Sequence, residues 1–337
     1  MLFDFKILTS FKFDFPVIAV GNLIAGGSGK TPMVEYIIRL LSDKKNIATL
    51  SRGYKRKTKG YRLAGENETV DTLGDEPLQY HQKFGAVKVA VSEHRKQGIH
   101  NLIVDVPDLE VVILDDAFQH RYVNPELSIL VTDYFKLFTK DWMLPFGKLR
   151  EYISGRKRAD IIVVTKTPRI FSPIVRKQLI EEIKPFPGQL ICFSYINYLP
   201  FKPLYLNKCD HSAKTENVYS IIMLTGIGNP GPMEEYLRKY CTDLELMEFP
   251  DHHSFTQKDL LILKDRYNTL PTKRKIIVTT EKDAKRLQNA DAEAILGGLP
   301  IFYTPITFEF HPSDKLIFDQ AVNDSIQKAK RASVTEL

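Results

Sequence analysis

The stretch Val17-Ile18-Ala19-Val20-Gly21-Asn22-Leu23-Ile24-Ala25-Gly26-Gly27-Ser28-Gly29-Lys30-Thr31-Pro32 decides the fold. It reads as a buried strand, a glycine-rich loop and the start of a helix. Loop glycines let backbone N–H groups turn inward around an anion, and a helix beginning at Pro32 points its positive end at the same place. Lys30 is placed to reach the β- and γ-phosphates of a nucleoside triphosphate, and the Thr31 hydroxyl to hold Mg²⁺. Gly26, Gly27, Ser28 and Gly29 complete the cradle. The loop departs from the strict phosphate-loop pattern: Ile24 stands where the first glycine belongs, and the nearest upstream glycine is Gly21. A plain glycine-rich turn with an exposed lysine is the competing reading.

Outward from this stretch, short apolar runs alternate with amphipathic ones: Met33–Leu41, Ala48–Leu50, Val87–Val91, Val111–Leu114, Leu127–Val131 and Ile161–Val164. That rhythm predicts an α/β fold of phosphate-loop NTPase type, a mostly parallel sheet with helices on both faces. Four prolines at 185, 187, 200 and 203 interrupt it. A second, smaller α/β domain follows, with a strand over Tyr219–Thr225, a helix near Met233–Tyr240 and a strand over Lys275–Thr280. The expected division is a kinase-type domain over 1–188, a linker over 189–215 and a C-terminal α/β domain over 216–337.

Composition sets outer bounds. The 337 residues are 43% hydrophobic and 26% charged, as in a globular protein of two ordinary domains, and the net charge of +6 argues for neither nucleic acid nor membrane insertion. No apolar run approaches the length of a bilayer span, so no transmembrane segment is expected in this chain. Cys192, Cys209 and Cys241 are three and scattered, which predicts neither a disulfide nor a zinc site. The Phe-rich opening, with Phe11, Phe13 and Phe15 alternating, reads as an edge strand ahead of a membrane-surface segment.

Several acidic and basic groups carry candidate chemistry. Val111-Val-Ile-Leu114 ends in Asp115-Asp116, the arrangement of a strand that delivers carboxylates to a phosphate-bound metal. Gly74-Asp75-Glu76-Pro77 precedes a helix expected from Pro77. Its acids either cap that helix or act as proton acceptor (Asp75) and metal neighbour (Glu76). From Arg52 to Arg62, six of eleven residues are basic, with Tyr54 and Tyr61 among them. This is a solvated loop or a site for an anionic acceptor on the ligand-binding side of the sheet, engaging Arg52, Tyr54 and Lys55. Arg95 and Arg150 are surface ion-pair residues or stabilisers of phosphoryl charge. Asp251-His252-His253 sets an acid beside two histidines. Thr165-Lys166-Thr167-Pro168 lacks the carboxylate that a guanine-reading motif needs, and Thr280-Glu281-Lys282-Asp283 reads equally as a capped helix start, so ATP is the expected nucleotide.

Together VGNLIAGGSGKTP, LSRGY, GDEP, SEHR, ILDDAFQH, LPFGKLRE, LTGIGNP, FPDHHSF and TTEKDAKRL, in order from about Phe13 to about Leu287, closely resemble the tetraacyldisaccharide 4′-kinase family of Gram-negative lipid A synthesis. The resemblance implies ATP- and Mg²⁺-dependent phosphorylation of a tetraacylated glucosamine disaccharide 1-phosphate at the cytoplasmic face of the inner membrane. By the same resemblance Asp75 is the catalytic acid paired with His252, and closure of the second domain brings that histidine over the site. Lys30 and Thr31 serve the triphosphate and metal, with Glu76, Asp115 and Asp116 nearby, and Arg150 with Glu151 belongs to a further family motif. The basic loop then meets the anionic disaccharide. Family members usually open with a longer hydrophobic anchor, so this chain is expected to attach peripherally, with no nucleic acid and no obligate protein partner. A regulatory NTPase that switches partners on hydrolysis is the alternative.

Overall fold

The computed structural model describes residue 3 and residues 8–205, 218–251 and 253–335. His252 and Cys209 lie outside the described residues, as does most of the opening heptapeptide. Two compact units emerge: Met1–Ile196 with Phe308–Leu337, and Asn197–Thr307.

The first unit is built on a nine-stranded sheet. Its order is Ile306–Phe310, Leu190–Tyr198, Ile161–Thr165, Leu127–Asp133, Val17–Gly21, Val111–Asp115, Ile47–Ser51, Lys88–Val91 and Arg62–Leu63. Every pairing from Leu190–Tyr198 to Lys88–Val91 is parallel, and Arg62–Leu63 closes that edge antiparallel. The loop strand Val17–Gly21 is therefore central. Its Ile18 and Val20 enter one core with Met33, Ile37 and Ile113, while Val17 and Ala19 enter another with Leu50, Ile99 and Leu102. Period-2 alternation with both faces apolar is what a parallel sheet covered on two sides requires. Parallel strands also gather their outgoing loops on one edge, where ligands bind in open α/β sheets.

The expected elements recur with shifted bounds. The helix after the glycine loop is Lys30–Leu41, so Pro32 is its third residue. The helix of the GDEP segment is Asp75–Lys83, so both acids fall inside its first turn. Phe11 pairs only through the two residues Phe11–Lys12, to Val123–Asn124. Phe13 then leaves the strand and is buried against His100, with ring centroids 5.1 Å apart. That contact ends the predicted Phe11–Phe15 alternation.

The boundaries differ more. Segment 189–215 was expected as a linker, yet Leu190–Tyr198 is a strand of the first sheet, in register with Ile161–Val164. The chain also returns: Ile306–Phe310 and the helix Pro312–Thr335 complete the first unit rather than extending the second. Phe308, Phe310, Phe318, Val322 and Ile326 share the core of the phosphate-loop helix, and Phe318 stacks on Phe310 at 4.5 Å. Tyr36 of that helix donates to Asp319 at 2.6 Å, and Arg176 grips the buried Asp314 with both terminal nitrogens. Hydrophobic closure by a distant segment overrides the proline signal.

The second unit has a five-stranded sheet in the order Lys202–Pro203, Ile301–Thr304, Lys275–Thr280, Ser220–Thr225 and Asp243–Glu248. All but the first are mutually parallel. Thr280-Glu281-Lys282-Asp283 proves to be a helix start: Thr280 Oγ1 accepts from Asp283 N at 3.0 Å, and buried Asp283 accepts from Gly226 N and Arg286.

If the returning helix belongs to the first unit's core, removing one ring must weaken that unit. Phe318→Ala is expected to lower the stability of the transition reporting the first unit by about 3–5 kcal/mol in chemical denaturation. A loss below about 1 kcal/mol would place this helix outside the core.

Candidate active site

The loop Asn22–Gly29 is held from within and from both sides. Asn22, wholly buried, donates from Nδ2 to Ile24 O at 2.6 Å and to Ser28 Oγ at 2.8 Å, closing the loop on itself. Gln119 donates to Asn22 O at 2.8 Å. On one flank Ala25 N donates to Lys148 O and Arg150 N to Leu23 O, each at 2.8 Å. On the other, Thr165 Oγ1 donates to Ser28 O at 2.8 Å, and Lys166 Nζ bridges Gly27 O and Asp133, each at 2.6 Å. The failed guanine motif thus has a structural task. Gly29, the N-cap, has φ 93°, and an added Cβ would lie 3.0 Å from Thr165 Oγ1. Only glycine turns the chain here without strain. The helix N-terminus that follows carries partial positive charge toward an anion.

Around the loop the predicted acids gather. Lys30 Nζ lies 3.4 Å from Asp116 Oδ1, and Arg150 Nη1 reaches both Asp116 oxygens at 2.9 Å. Burial opposes ionisation of Asp116, but the two cations hold its carboxyl below the usual carboxylate range. Asp115 is the reverse. Burial first, then the charge of Asp116 and of Glu76, pushes its carboxyl up to about 6 against the pull of Lys30. One oxygen, Oδ2, accepts from Tyr80 at 3.1 Å, while the buried Oδ1 has no hydrogen-bond partner.

Tyr80 also explains how Asp75 and Glu76 arrive. Glu76, Tyr80 and Lys83 recur at helical spacing on one face of Asp75–Lys83. Gln79 Nε2 and Lys83 Nζ each reach the buried Glu35 of the phosphate-loop helix at 2.7 Å, as does Arg39 at 2.8 Å. Two of these donors, Gln79 and Lys83, clamp the helix Asp75–Lys83 to the phosphate-loop helix, and Arg39 adds a bond within the latter. Gly74, at φ 90°, packs against the basic loop so closely that a Cβ would lie 2.9 Å from Tyr54 O.

The basic loop is pinned at Arg56, while several of its other basic residues face solvent. Arg56, with 1% of its side chain exposed, donates to Glu93 at 2.6 Å and to Gly60 O at 2.5 Å. Lys57 pairs with Asp71 and Arg62 with Glu68. Residues Arg52–Lys59 and Glu93 line a cleft of about 380 Å³. Arg52, Tyr54 and Lys55 stand exposed there.

Two sequence-derived candidates are placed differently. Arg95 is buried, donating to Ser92 O at 2.5 Å and to Asp115 O at 3.2 Å, with its guanidinium drawn down to about 10 by burial. It supports the backbone of the carboxylate pair and has no open route to an acceptor. Glu151 accepts from Gln119 at 3.0 Å and from Arg158 at 2.8–2.9 Å, bracing the turn after Asp116. Desolvation and the cations Arg95 and Arg52 hold the His120 imidazole down to about 4, so it is neutral at pH 7. Sequence reading missed Tyr80, Asn22 and Glu35; a tyrosine one turn after a first-turn acid was the available signal. In the second unit His253 Nε2 lies 3.0 Å from Asp259 and its ring stacks on Phe249 at 4.5 Å.

Thr31, Glu76, Asp115 and Asp116 offer the hard oxygen donors that Mg²⁺ takes, and the unpartnered Asp115 Oδ1 is an oxygen in want of a ligand. Among the described residues, no group of three acidic, histidine or cysteine side chains forms a self-contained metal cage.

Raised above its unfolded value near 3.8, the Asp115 carboxyl costs stability as pH rises through 4 to 6, a cost absent below 4 and complete above 6. Asp115→Asn in nucleotide-free protein is therefore expected to raise stability at pH 7 by about 1–3 kcal/mol and to flatten that pH window, as read by denaturation between pH 4 and 7. A destabilised Asn variant at pH 7 would show Asp115 to be a stabilising charge.

A family model described as tetraacyldisaccharide-1-P 4′-kinase matches residues 1–327. A tetraacyldisaccharide 4′-kinase of Bacteroides thetaiotaomicron is 45% identical over 297 residues, covering 85% of this chain and 78% of its own. The Flavobacterium johnsoniae protein of that name is 46% identical over 308 residues, covering 91% and 88%. Among solved structures, LpxK from Aquifex aeolicus, described as an “apo” form in complex with ATP, aligns at a TM-score of 0.68 and 28% identity, over 96% of this chain and 93% of that one.

Proposed function

The chain belongs to the tetraacyldisaccharide-1-P 4′-kinase family, and from that premise we propose how its site works. It is an ATP-dependent kinase that phosphorylates the 4′-hydroxyl of the lipid A precursor, a tetraacylated disaccharide 1-phosphate. The observation that carries a mechanism is the convergence of Lys30, Asp116, Arg150, Asp115 and Glu76 beside one braced loop. Such a site works by positioning and by charge stabilisation of a transferring phosphoryl group.

The loop amides, Lys30 and the helix N-terminus bind the triphosphate. Lys30 leaves Asp116 for phosphate oxygens, and Arg150, already on Asp116, stands ready to do the same. Thr31, Asp115, Asp116 and Glu76 would hold Mg²⁺, which when bound would supply neutralisation of the phosphate charge. Asp75, at the first turn of a helix clamped to Glu35, takes the proton of the acceptor hydroxyl as it attacks. His252, outside the described residues, is its proposed partner by the family resemblance. The cleft of Arg52, Tyr54 and Lys55, packed against Gly74 one residue before Asp75, is the proposed seat of the acceptor's anionic sugar. Among the described residues no helix is long and apolar enough to cross a membrane, and attachment is proposed to be peripheral, at the cytoplasmic face of the inner membrane.

Transfer of ³²P from ATP to a tetraacyldisaccharide 1-phosphate tests the whole reading, with Lys30→Ala expected to abolish it. Rapid acceptor-independent hydrolysis with no lipid product would point instead to a switch NTPase. Asp75→Ala is expected to lower kcat about 10²–10⁴-fold with ATP affinity retained. Unchanged kcat would remove Asp75 from the base role, and unchanged turnover in His252→Ala would dissolve the dyad.

A further inference from the structure

The segment between Asp141 and Arg150 bears large apolar side chains that the fold leaves uncovered. Trp142 is 76% exposed, Leu144 56% and Phe146 92%. They stand on a tight turn: Leu149 N donates to Trp142 O at 2.9 Å, Leu144 N to Leu149 O at 3.0 Å, and Gly147 N to Met143 O at 3.0 Å. Asp141 Oδ1 accepts from Trp142 N at 2.8 Å and from Lys148 N at 3.1 Å, so its carboxylate is spent inside the turn. Leu149 is buried in one core with Leu23 and Ile24. The turn is thus rigidly anchored, through Lys148 O and Arg150 N, on the phosphate loop itself.

Its surroundings are cationic and aromatic. Lys148, and Lys136 beside the half-exposed Phe135, are exposed and have no acidic partner among the described residues. Aromatic side chains interleaved with lysines suit the headgroup boundary of a bilayer, where rings lie among acyl carbonyls and ammonium groups meet lipid phosphates. All of these residues lie on loops leaving the C-terminal edge of the sheet, the edge of the phosphate site.

We infer that the Trp142–Phe146 turn is the element that seats this kinase on an anionic membrane, with Trp142, Leu144 and Phe146 in the headgroup layer and Lys136 and Lys148 on lipid phosphates. The inference rests on the lipid-acceptor reading above, and adds to it a docking surface fixed to the catalytic loop. Arg150 ends the same turn and holds Asp116 beside Lys30. Seating the turn therefore sets the height of the phosphoryl-transfer site above the bilayer, where a four-chain acceptor resides.

Trp142 is the single tryptophan of the chain, so its emission reports this turn alone. The full chain is mixed with vesicles of phosphatidylglycerol and phosphatidylethanolamine, with neutral phosphatidylcholine vesicles, and with vesicles whose acyl chains are brominated. With anionic vesicles the emission is expected to move to shorter wavelength and to be quenched by bromine, and Leu144→Asp with Phe146→Asp to weaken partitioning about tenfold or more. That double variant should keep its ATP affinity and its turnover on detergent-dispersed acceptor, while KM for vesicle-borne acceptor rises. Co-sedimentation with unchanged Trp142 emission would place the membrane contact elsewhere. No partitioning at all, or a concentration-dependent shift without lipid, would also overturn the inference. Failure of the wild type to phosphorylate the acceptor would remove the lipid-kinase reading while leaving the fluorescence result standing on its own.

Discussion

One carboxylate, Asp116, ties together segments that are far apart in the chain. It follows the central strand Val111–Asp115, takes Lys30 from the phosphate loop at 3.4 Å, and takes Arg150 from the end of the exposed turn at 2.9 Å. Lys30 and Arg150 would repel each other across a shared, half-buried space; Asp116 neutralises that repulsion and keeps both side chains beside the glycine loop. In the proposed mechanism, binding exchanges one set of charge-assisted contacts for another, so little side-chain ordering remains to be done at the moment of reaction.

The same economy governs the neighbouring Asp115. Its burial and its missing Oδ1 partner disfavour the charged form, a cost that a resident cation would remove. Tyr80 donates a hydrogen bond to that carboxylate, and through Tyr80 the helix of Asp75 and Glu76 is set beside the acid pair. Glu35, with three donors from two helices, does for backbone placement what Tyr80 does for the carboxylate. Asp115 and Asp116, which repel each other, are brought together because Tyr80 holds one and Lys30 with Arg150 the other.

These supports mark the limit of what the sequence made legible. The loop, the central strands, the acid pair and the basic stretch were readable because each is local: glycine torsions, period-2 alternation and charge density are properties of a dozen neighbouring residues. The strand Ile306–Phe310 and the helix Pro312–Thr335 were not placed, since their membership depends on Phe310 and Phe318 packing on the phosphate-loop helix nearly three hundred residues earlier. Flanking prolines made 189–215 look like a connection when the apolar run between them is a sheet strand. Arg95 read as a surface ion-pair residue or a stabiliser of phosphoryl charge for the same reason: its partner, the carbonyl of Asp115, comes from a strand twenty residues on.

The departure at Ile24 acquires a physical account from the same long-range contacts. A first glycine in a phosphate loop supplies freedom to turn, but here the turn is imposed: Ile24 bridges Leu149 and is buried with Leu23 under the Asp141–Arg150 segment. Asn22 supplies from its side chain the internal hydrogen bonds that hold the loop closed at Ile24 and Ser28. An isoleucine is tolerated because the position serves as a hydrophobic foot for a neighbouring turn. The loop and that turn consequently form one packed body, with Leu23, Ile24 and Leu149 in a single core.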